Sequence, residues 1–257
     1  MSKLVFAFGR FNPVTTGHEV LMDKAKAVGG KDYRIYVSKS QDRKKNPLDY
    51  KSKIKYMKKI FPAHASNIVD GPARTAIDVA VDVFNDGYTD LIMIAGSERV
   101  VEFQKLLDKY NGVKGKRHGE YKFDSIKVIN AGERDPDAAG ASGMSASKMR
   151  GAAADDDFDL FKTGLPDHFK DSSDAKALFR TLQKAMGLKS FKEWAEVEEG
   201  PFGRLVKSKA YQVAAKYFLQ FKKRGDKPAV ALHKAAGTVK GVNDRDLQMY
   251  LTKLKLL

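Results

Sequence analysis

Cysteine is absent from this sequence of 257 residues. Disulfide bonds, thiolate nucleophiles and cysteine-ligated metals are therefore excluded. The sequence also lacks an uninterrupted apolar run of about 18 residues, and it lacks a charged and then apolar leader with a cleavage site. We therefore expect a soluble cytoplasmic protein that does not associate with membranes.

Two common nucleotide-binding motifs are missing as well. The glycine fingerprint GxGxxG does not follow the first apolar segment, and the phosphate loop GxxxxGKS/T occurs nowhere in the chain. The first absence argues against a dinucleotide-dependent dehydrogenase, and the second argues against a P-loop kinase. A phosphate site in this chain must therefore be built in another way.

The positive charge is concentrated in two parts of the chain. The formal net charge is +15, from 47 Lys and Arg residues against 32 Asp and Glu residues. Residues 1–150 carry 27 basic and 18 acidic residues, residues 151–200 carry 7 and 11, and residues 201–257 carry 13 and 3. A basic N-terminal region suits a polyphosphate substrate, whereas the basic C-terminal region suits nucleic acid or an acidic protein surface. A solvated, lysine-rich surface is the alternative interpretation of the C-terminal charge.

Apolar segments of strand length alternate with amphipathic segments in the first half of the chain. The expected strands are residues 4–8, 33–37, 67–69, 91–95 and 126–129. The expected helices are residues 19–28, 50–61, 74–85 and 100–110. Because the central strands are apolar on both faces, the pattern predicts an α/β fold: a Rossmann-like parallel sheet of about five strands with helices on both faces. Ligands of such sheets bind at the carboxyl ends of the strands, where the strand order reverses.

From Ser145 onward the pattern is helical, and Ser145 or Ser147 is the expected N-cap of the first helix. Further helices are expected at residues 175–186, 190–194, 205–224, 227–236 and 243–256, with a linker at 198–201. We therefore predict three parts: an α/β domain, a helical connector and a basic, all-helical C-terminal module. Their expected bounds are residues 1–165, 166–200 and 201–257.

The N-terminal segment LVFAFGRFNPVTTGH, residues 4–18, has the layout of an anion site. An apolar strand ends at Gly9, a turn-like segment containing Pro13 follows, and His18 lies where the next amphipathic stretch begins. The N–H groups and the dipole of a helix N-terminus favour a negatively charged ligand. We interpret this segment as the binding site of a nucleoside triphosphate.

Two motifs resemble those of the nucleotidyltransferase superfamily, of the cytidylyltransferase-like type. GRFNPVTTGH at residues 9–18 resembles its (H/T)xGH loop, and GMSASKMR at residues 143–150 resembles its ISSTxxR helix start. The second motif departs from the pattern by Met for Ile, Ala for the middle Ser and Ser for Thr. The resemblance covers residues 3–165, so that the α/β domain is expected to be a nucleotidyltransferase domain. It implies transfer of a nucleoside monophosphate to a phosphorylated acceptor, with release of pyrophosphate.

The resemblance also implies roles for individual residues. His18 is expected to donate to the α- and β-phosphate oxygens, Thr15 to bond the same oxygens through its hydroxyl, and Arg150 to hold the β- and γ-phosphates as the third catalytic residue. The expected nucleotide-binding residues are Gly9, Arg10, Phe11, Gly17, Gly96, Arg99, Ser145 and Ser147. Lys45 lies in KKNPL, which resembles a KxPL loop that holds the phosphate of the acceptor. Mg²⁺ is expected to be bound mainly through the nucleotide phosphates, with no dedicated metal ligands.

Structural roles compete with several of these assignments. Ser145 and Ser147 also suit helix caps, and Arg150 also suits a surface ion pair. The segment 134–137 contains two aspartates that suit a metal site, although its proline favours a turn. For Lys45 the competing interpretation is a solvated side chain.

Sequence alone leaves the acceptor open. The TxGH form resembles pantetheine-phosphate adenylyltransferases, whereas GRF and SASKMR resemble nicotinamide mononucleotide adenylyltransferases, and cytidylyltransferases share both motifs. We expect AMP transfer from ATP, with nicotinamide mononucleotide slightly favoured as the acceptor. CTP as the donor and phosphopantetheine as the acceptor are the alternatives, and a homo-oligomer is compatible with either.

Two other classes of protein share parts of this pattern. A nucleic-acid-binding or scaffold protein with a vestigial nucleotide pocket would explain the basic C-terminal module. The aromatic residues of that module recur with helical spacing, however, and are expected to form the apolar face of a helix. A class I aminoacyl-tRNA synthetase fragment would share the HIGH-like loop and a KMSKS-like MSASK, but the chain is short for the usual insertions.

Overall fold

The fold comes from a computed structural model that describes residues 2–115, 119–132, 143–188, 208–254 and 256–257. The chain divides into two compact units, Met1–Leu188 and Lys189–Leu257. None of the helices in the described ranges combines the length and the apolarity that a membrane span requires.

A parallel sheet of five strands forms the centre of the first unit. Its strands are β1 (Lys3–Gly9), β2 (Tyr33–Val37), β3 (Ile68–Val69), β4 (Asp90–Ala95) and β5 (Ser125–Asn130). The strand order is β3-β2-β1-β4-β5, and every neighbouring pair is parallel. The order reverses at β1, which pairs with β2 on one side and β4 on the other. The carboxyl end of β1 is therefore the topological switch point, where an α/β sheet holds its ligand.

Helices cover both faces of this sheet. They are α1 (Thr16–Gly29), α2 (Tyr50–Ile60), α3 (Ala76–Asn85), α4 (Val100–Tyr110), α5 (Ala146–Ala154), α6 (Phe158–Lys162), α7 (Asp167–Lys170) and α8 (Ser173–Ala185). Val5 of β1 packs in one core with residues of α1, α2 and α8, whereas its neighbour Phe6 packs in the other core with α3 and α4. This alternation follows from the two-residue period of a strand. The predicted Rossmann-like α/β fold is confirmed.

The first unit extends beyond the boundary predicted at residue 165. Leu178, Phe179 and Leu182 of α8 are buried in the same core as the sheet-facing residues of α1 and α2. Phe179 also meets Phe161 of α6 edge to face, with ring centroids 5.1 Å apart. These apolar contacts make residues 166–188 part of the α/β unit rather than a connector. The helix predicted at 190–194 and the linker at 198–201 lie outside the described residues.

The described part of the second unit, from residue 208 onward, contains three helices, here called the first, second and third module helices. They are Lys209–Lys223, Pro228–Thr238 and Asp244–Lys253. Their buried side chains form a core of their own, which includes Phe218, Leu247 and Tyr250. Proline occupies the first turn of the second module helix, and Asn243 caps the third by accepting from the backbone N–H of Asp246 at 2.9 Å. The predicted all-helical C-terminal module is confirmed within the described residues.

Candidate active site

The loop between β1 and α1 is shaped by the contact of Gly9 with Phe11. Phe11 is buried and has φ 47°, and its ring would lie only 2.8 Å from a Cβ atom placed on Gly9. Glycine is therefore required there, because any side chain would displace the ring. The same ring meets His18 edge to face, with ring centroids 5.0 Å apart. Gly9 and Phe11 thus help to position the histidine.

His18 is held by Thr15, the N-cap residue of α1. The backbone N–H of Thr15 donates to Nδ1 of His18 at 3.0 Å, and the Thr15 hydroxyl oxygen lies 3.0 Å from the same nitrogen. A ring nitrogen that accepts a hydrogen bond carries no proton, so a neutral His18 carries its proton on Nε2. Thr15 is fully buried. The contact in the structure therefore makes Thr15 a positioning residue for His18, and its direct bond to phosphate stays a prediction.

Arg150 joins α5 to the β1–α1 loop. Its Nη1 donates to the backbone oxygen of Asn12 at 2.7 Å, and its Nη2 donates to the Ser147 hydroxyl at 2.9 Å. Burial lowers the pKa of Arg150 from its ordinary value, and the nearby positive charge of Arg10 lowers it further. An arginine remains charged near neutral pH even so. The two predicted motifs thus meet in space and bring Arg10 and Arg150 together at the switch point.

Ser145 is the N-cap of α5, as one of the two sequence interpretations expected. Its hydroxyl accepts from the backbone N–H of Lys148 at 3.0 Å. Ser147, two residues further on, is exposed, and its hydroxyl accepts from Nη2 of Arg150. The capping role therefore belongs to Ser145, while Ser147 orients the guanidinium.

Asn12 is a site residue that sequence reasoning missed. Its amide nitrogen donates to the Leu48 carbonyl and its amide oxygen accepts from the Leu48 N–H, both at 3.0 Å. The β2–α2 segment is bound to β1 at its other end too, where the Ser38 N–H donates to the Gly9 carbonyl at 2.8 Å. Both ends of the segment that carries Lys45 therefore rest on the β1–α1 loop. The only signal in the sequence was a polar residue beside Pro13 between apolar neighbours.

Lys45 itself is exposed near the tip of that segment. Its backbone N–H donates to the carboxylate of Asp42 at 2.6 Å, and the amide of Asn46 donates to the same carboxylate at 2.7 Å. Several hydrogen bonds hold the pKa of Asp42 below its usual value, and the bond from the Lys45 N–H makes the largest contribution. Asp42 orders the turn and leaves the Lys45 side chain exposed to solvent.

Lys53 of α2 is a second residue that sequence reasoning missed. Its ammonium group is buried and donates to the carbonyls of Ser38 and Ser40, which stabilises the start of the same segment. Burial lowers the pKa of Lys53 to about 8. Because α2 contains several lysines, the sequence does not indicate that Lys53 is the one that is buried.

The lowered pKa of Lys53 predicts a pH dependence of stability. The folded protein loses this proton near pH 8 and the unfolded chain near pH 10.5. Between these values unfolding takes up a proton, so the free energy of unfolding rises with pH. Urea denaturation across this range should show wild type gaining stability relative to Lys53→Met, which has nothing to titrate at this position. A constant difference between the two proteins would contradict the assignment.

Gly96 and Arg99 follow β4, the strand next to β1. A Cβ atom on Gly96 would meet only the Glu98 side chain, 3.8 Å away at the closest, so the fold itself does not demand glycine there. Arg99 pairs with Glu102 at 2.9 Å, and its guanidinium lies 4.5 Å from the centroid of the Phe103 ring. The contacts of Arg99 are thus within its own helix start and not with His18 or Arg150.

Gly164 holds α5 against the start of α1. Its carbonyl accepts from the Thr16 N–H at 3.0 Å, and a Cβ atom on it would lie 2.6 Å from Met144 and 2.8 Å from Met149. The turn after α6 can therefore approach both site helices only because this residue has no side chain.

Two Gly→Ala substitutions should accordingly have opposite effects on stability. Gly164→Ala should lower the free energy of unfolding by about 1–3 kcal/mol through overpacking. Gly151→Ala, in the exposed part of α5 where a Cβ atom meets nothing within 4 Å, should raise it by about 0.5–1 kcal/mol. Thermal denaturation of both variants tests this, and a stable Gly164→Ala protein would contradict the close packing.

No cluster of three or more His, Asp or Glu residues with metal-binding geometry occurs among the residues that the structure describes. The aspartates of segment 134–137, which suited a metal site in the sequence, lie outside those residues.

Comparison with models of known protein families gives a match. The family model described as cytidylyltransferase-like matches residues 6–152, more than half of the chain. The matched region runs from β1 to α5 and so includes both motifs and the contacts between them. No curated protein matches the chain significantly.

Proposed function

The chain belongs to the cytidylyltransferase-like family of nucleotidyltransferases, and we propose that it transfers AMP from ATP to a phosphorylated small molecule. Nicotinamide mononucleotide is the favoured acceptor, and pyrophosphate is the second product. The observation that carries the proposal is the junction at the switch point, where Thr15 orients His18 and where Arg150 bonds the same loop.

The reaction requires two anions to meet, so the task of the protein is to neutralise and align them. A phosphate oxygen of the acceptor attacks the α-phosphorus of ATP, and the bond from that phosphorus to the α–β bridging oxygen breaks. Because the acceptor phosphate is already ionised near neutral pH, the attack needs no general base. The electron pair of the broken bond leaves with pyrophosphate.

His18 and Arg150 have complementary roles in this scheme. The Nε2–H group of His18 donates to α- and β-phosphate oxygens, where negative charge increases in the transition state. Arg150 has five N–H donors, of which Asn12 and Ser147 take two. The remaining N–H donors of the Arg150 guanidinium are therefore assigned to the β- and γ-phosphates. Arg10 adds a second positive charge near Arg150.

The acceptor would bind between the β1–α1 loop and the segment that carries Lys45. The proposal assigns the acceptor phosphate to Lys45, which is exposed on an ordered turn. Gly96, which has no side chain at the end of β4, is assigned to the approach of the adenine or ribose. The preference for nicotinamide mononucleotide rests on the GRF and SASKMR segments of the two motifs.

Mg²⁺ would reach this site with the triphosphate. The Thr15 and Ser147 hydroxyls and the Arg150 guanidinium suit the phosphates rather than the metal. Bound there, Mg²⁺ would neutralise charge on the phosphates.

A substrate panel tests the proposal directly. ATP and CTP are each incubated with nicotinamide mononucleotide, phosphopantetheine or glycerol phosphate, and pyrophosphate release is measured. We expect release with ATP and nicotinamide mononucleotide above all other pairs. Turnover that requires CTP or phosphopantetheine would replace the proposed donor or acceptor, and absence of release with every pair would favour a binding protein with a vestigial pocket.

A further inference from the structure

The C-terminal module carries positive charge that its own carboxylates do not balance. Residues 201–257 hold 13 of the 47 basic residues of the chain but only 3 of its 32 acidic residues. These three are occupied within the module: Asp226 pairs with Lys234 at 3.0 Å, Asp244 pairs with His233 at 2.8 Å, and Asp246 accepts from the Asn243 amide at 2.8 Å. A surface that only provides solubility usually mixes both signs of charge.

Three of the 13 basic residues lie along one side of the first module helix. Lys209, Lys216 and Lys223 are exposed and recur every seventh residue, which places them on one face about 10.5 Å apart. Further cations follow at the junction with the second module helix, where Lys222, Arg224 and Lys227 are exposed. These six exposed cations, three along the helix and three at the junction, are here called the basic strip.

The aromatic residues of the same helix are not arranged to stack on bases. Tyr211 and Phe218 are buried in the module core. Phe221 stacks on Tyr217, and the charged groups of Arg224 and Lys234 lie 6.0 Å and 5.7 Å from its ring centroid. These rings are thus engaged inside the module, so the strip offers a ligand cations rather than stacking faces.

We propose that this basic strip binds nucleic acid through its phosphate backbone, without base specificity. A regular row of cations over about 20 Å matches a ligand with regularly repeated negative charge. A folded acidic protein seldom presents such a row, which is why nucleic acid is preferred as the partner. The proposal concerns the second unit only and does not depend on the nucleotidyl transfer assigned to the first.

Fluorescence anisotropy with the full chain tests the strip. The probes are a labelled 30-base-pair DNA duplex and a labelled single strand of mixed sequence, titrated between 50 and 200 mM KCl. Wild type should bind both, with an affinity that falls steeply as salt increases. Lys209→Gln/Lys216→Gln/Lys223→Gln should reduce the slope of log K against log salt by about 2.7 on the duplex, or about 0.9 per lysine.

The matched control is Lys24→Gln/Lys105→Gln/Lys127→Gln, which removes the same charge from exposed positions of the first unit. It should leave the slope close to that of wild type. Equal effects of both triple variants, or no binding of wild type at 50 mM KCl, would overturn the proposal. Tighter binding to poly-glutamate than to DNA would also overturn it, in favour of an acidic protein partner. The single variant Lys216→Gln, expected to reduce the slope by about 0.9, gives the same test if the triple variant does not fold.

Discussion

Replacing His18 with alanine should lower kcat of nucleotidyl transfer by about 10²–10³-fold, the usual cost of removing one preorganised donor to a transition-state oxyanion. The fold orients His18 closely, because the Thr15 N–H donates to Nδ1 and Phe11 packs against the ring. Nε2 is then the nitrogen that can donate to a phosphate. The measurement is steady-state pyrophosphate release with the best donor and acceptor of the panel. The variant should remain folded, although its thermal midpoint should fall because the N–H of buried Thr15 loses its acceptor.

The proposed proton on Nε2 allows a sharper version of this test. The amide nitrogen of glutamine reaches about as far as Nε2 of histidine, whereas that of asparagine reaches only as far as Nδ1. His18→Gln should therefore keep part of the activity, while His18→Asn should be as slow as His18→Ala. Asparagine matching or exceeding glutamine would show that the reactive donor is not at Nε2.

The matched control for the histidine series is His233→Ala. His233 is an exposed histidine of the second unit, where it pairs with Asp244. Its replacement should leave kcat unchanged. Normal turnover by His18→Ala would remove His18 from the mechanism altogether.

Replacing Arg150 should have the second-largest effect. Arg150→Lys should lower kcat/KM by about 10–100-fold, because loss of one charge-assisted hydrogen bond costs about 1.5–3 kcal/mol. A single ammonium group cannot bond Asn12 and Ser147 at once and still reach a phosphate. Arg150→Ala should lose more, since it also removes the charge.

A purely structural role for Arg150 predicts a different result. In that case Arg150→Lys would reduce stability through the Asn12 loop while kcat and KM for ATP stay unchanged. The proposed role predicts a raised KM for ATP and a lowered kcat in a protein that remains folded. Arg180→Lys, a change of the same kind at an exposed position of α8, is the control and should behave as wild type.

Much of the local structure could be predicted from spacing and residue type. The strand at residues 33–37 and the helix at residues 100–110 have the predicted bounds. Ser145 is a helix cap, as expected for a serine that precedes a helical stretch. Local steric and hydrogen-bonding rules decide these features, so they are visible within a few residues of sequence.

The C-terminal boundary of the α/β unit was harder to predict from the sequence. Residues 166–200 were expected to form a helical connector, although Leu178 and Leu182 are buried against the sheet domain. An amphipathic helix shows that it has an apolar face, but the partner of that face depends on the chain path.

Residue type and spacing were enough to predict the α/β fold class, the position of the switch-point loop and the two motifs of the family. How these parts act together depends on contacts between distant segments of the chain. The tertiary structure placed Arg150 on the carbonyl of Asn12, 138 residues away, set the Nδ1 acceptor of His18 and selected Lys53 for burial. Such contacts depend on strand order and on helix packing. Both bring together residues that are far apart in the chain, so the residues next to each partner in the sequence do not indicate the contact.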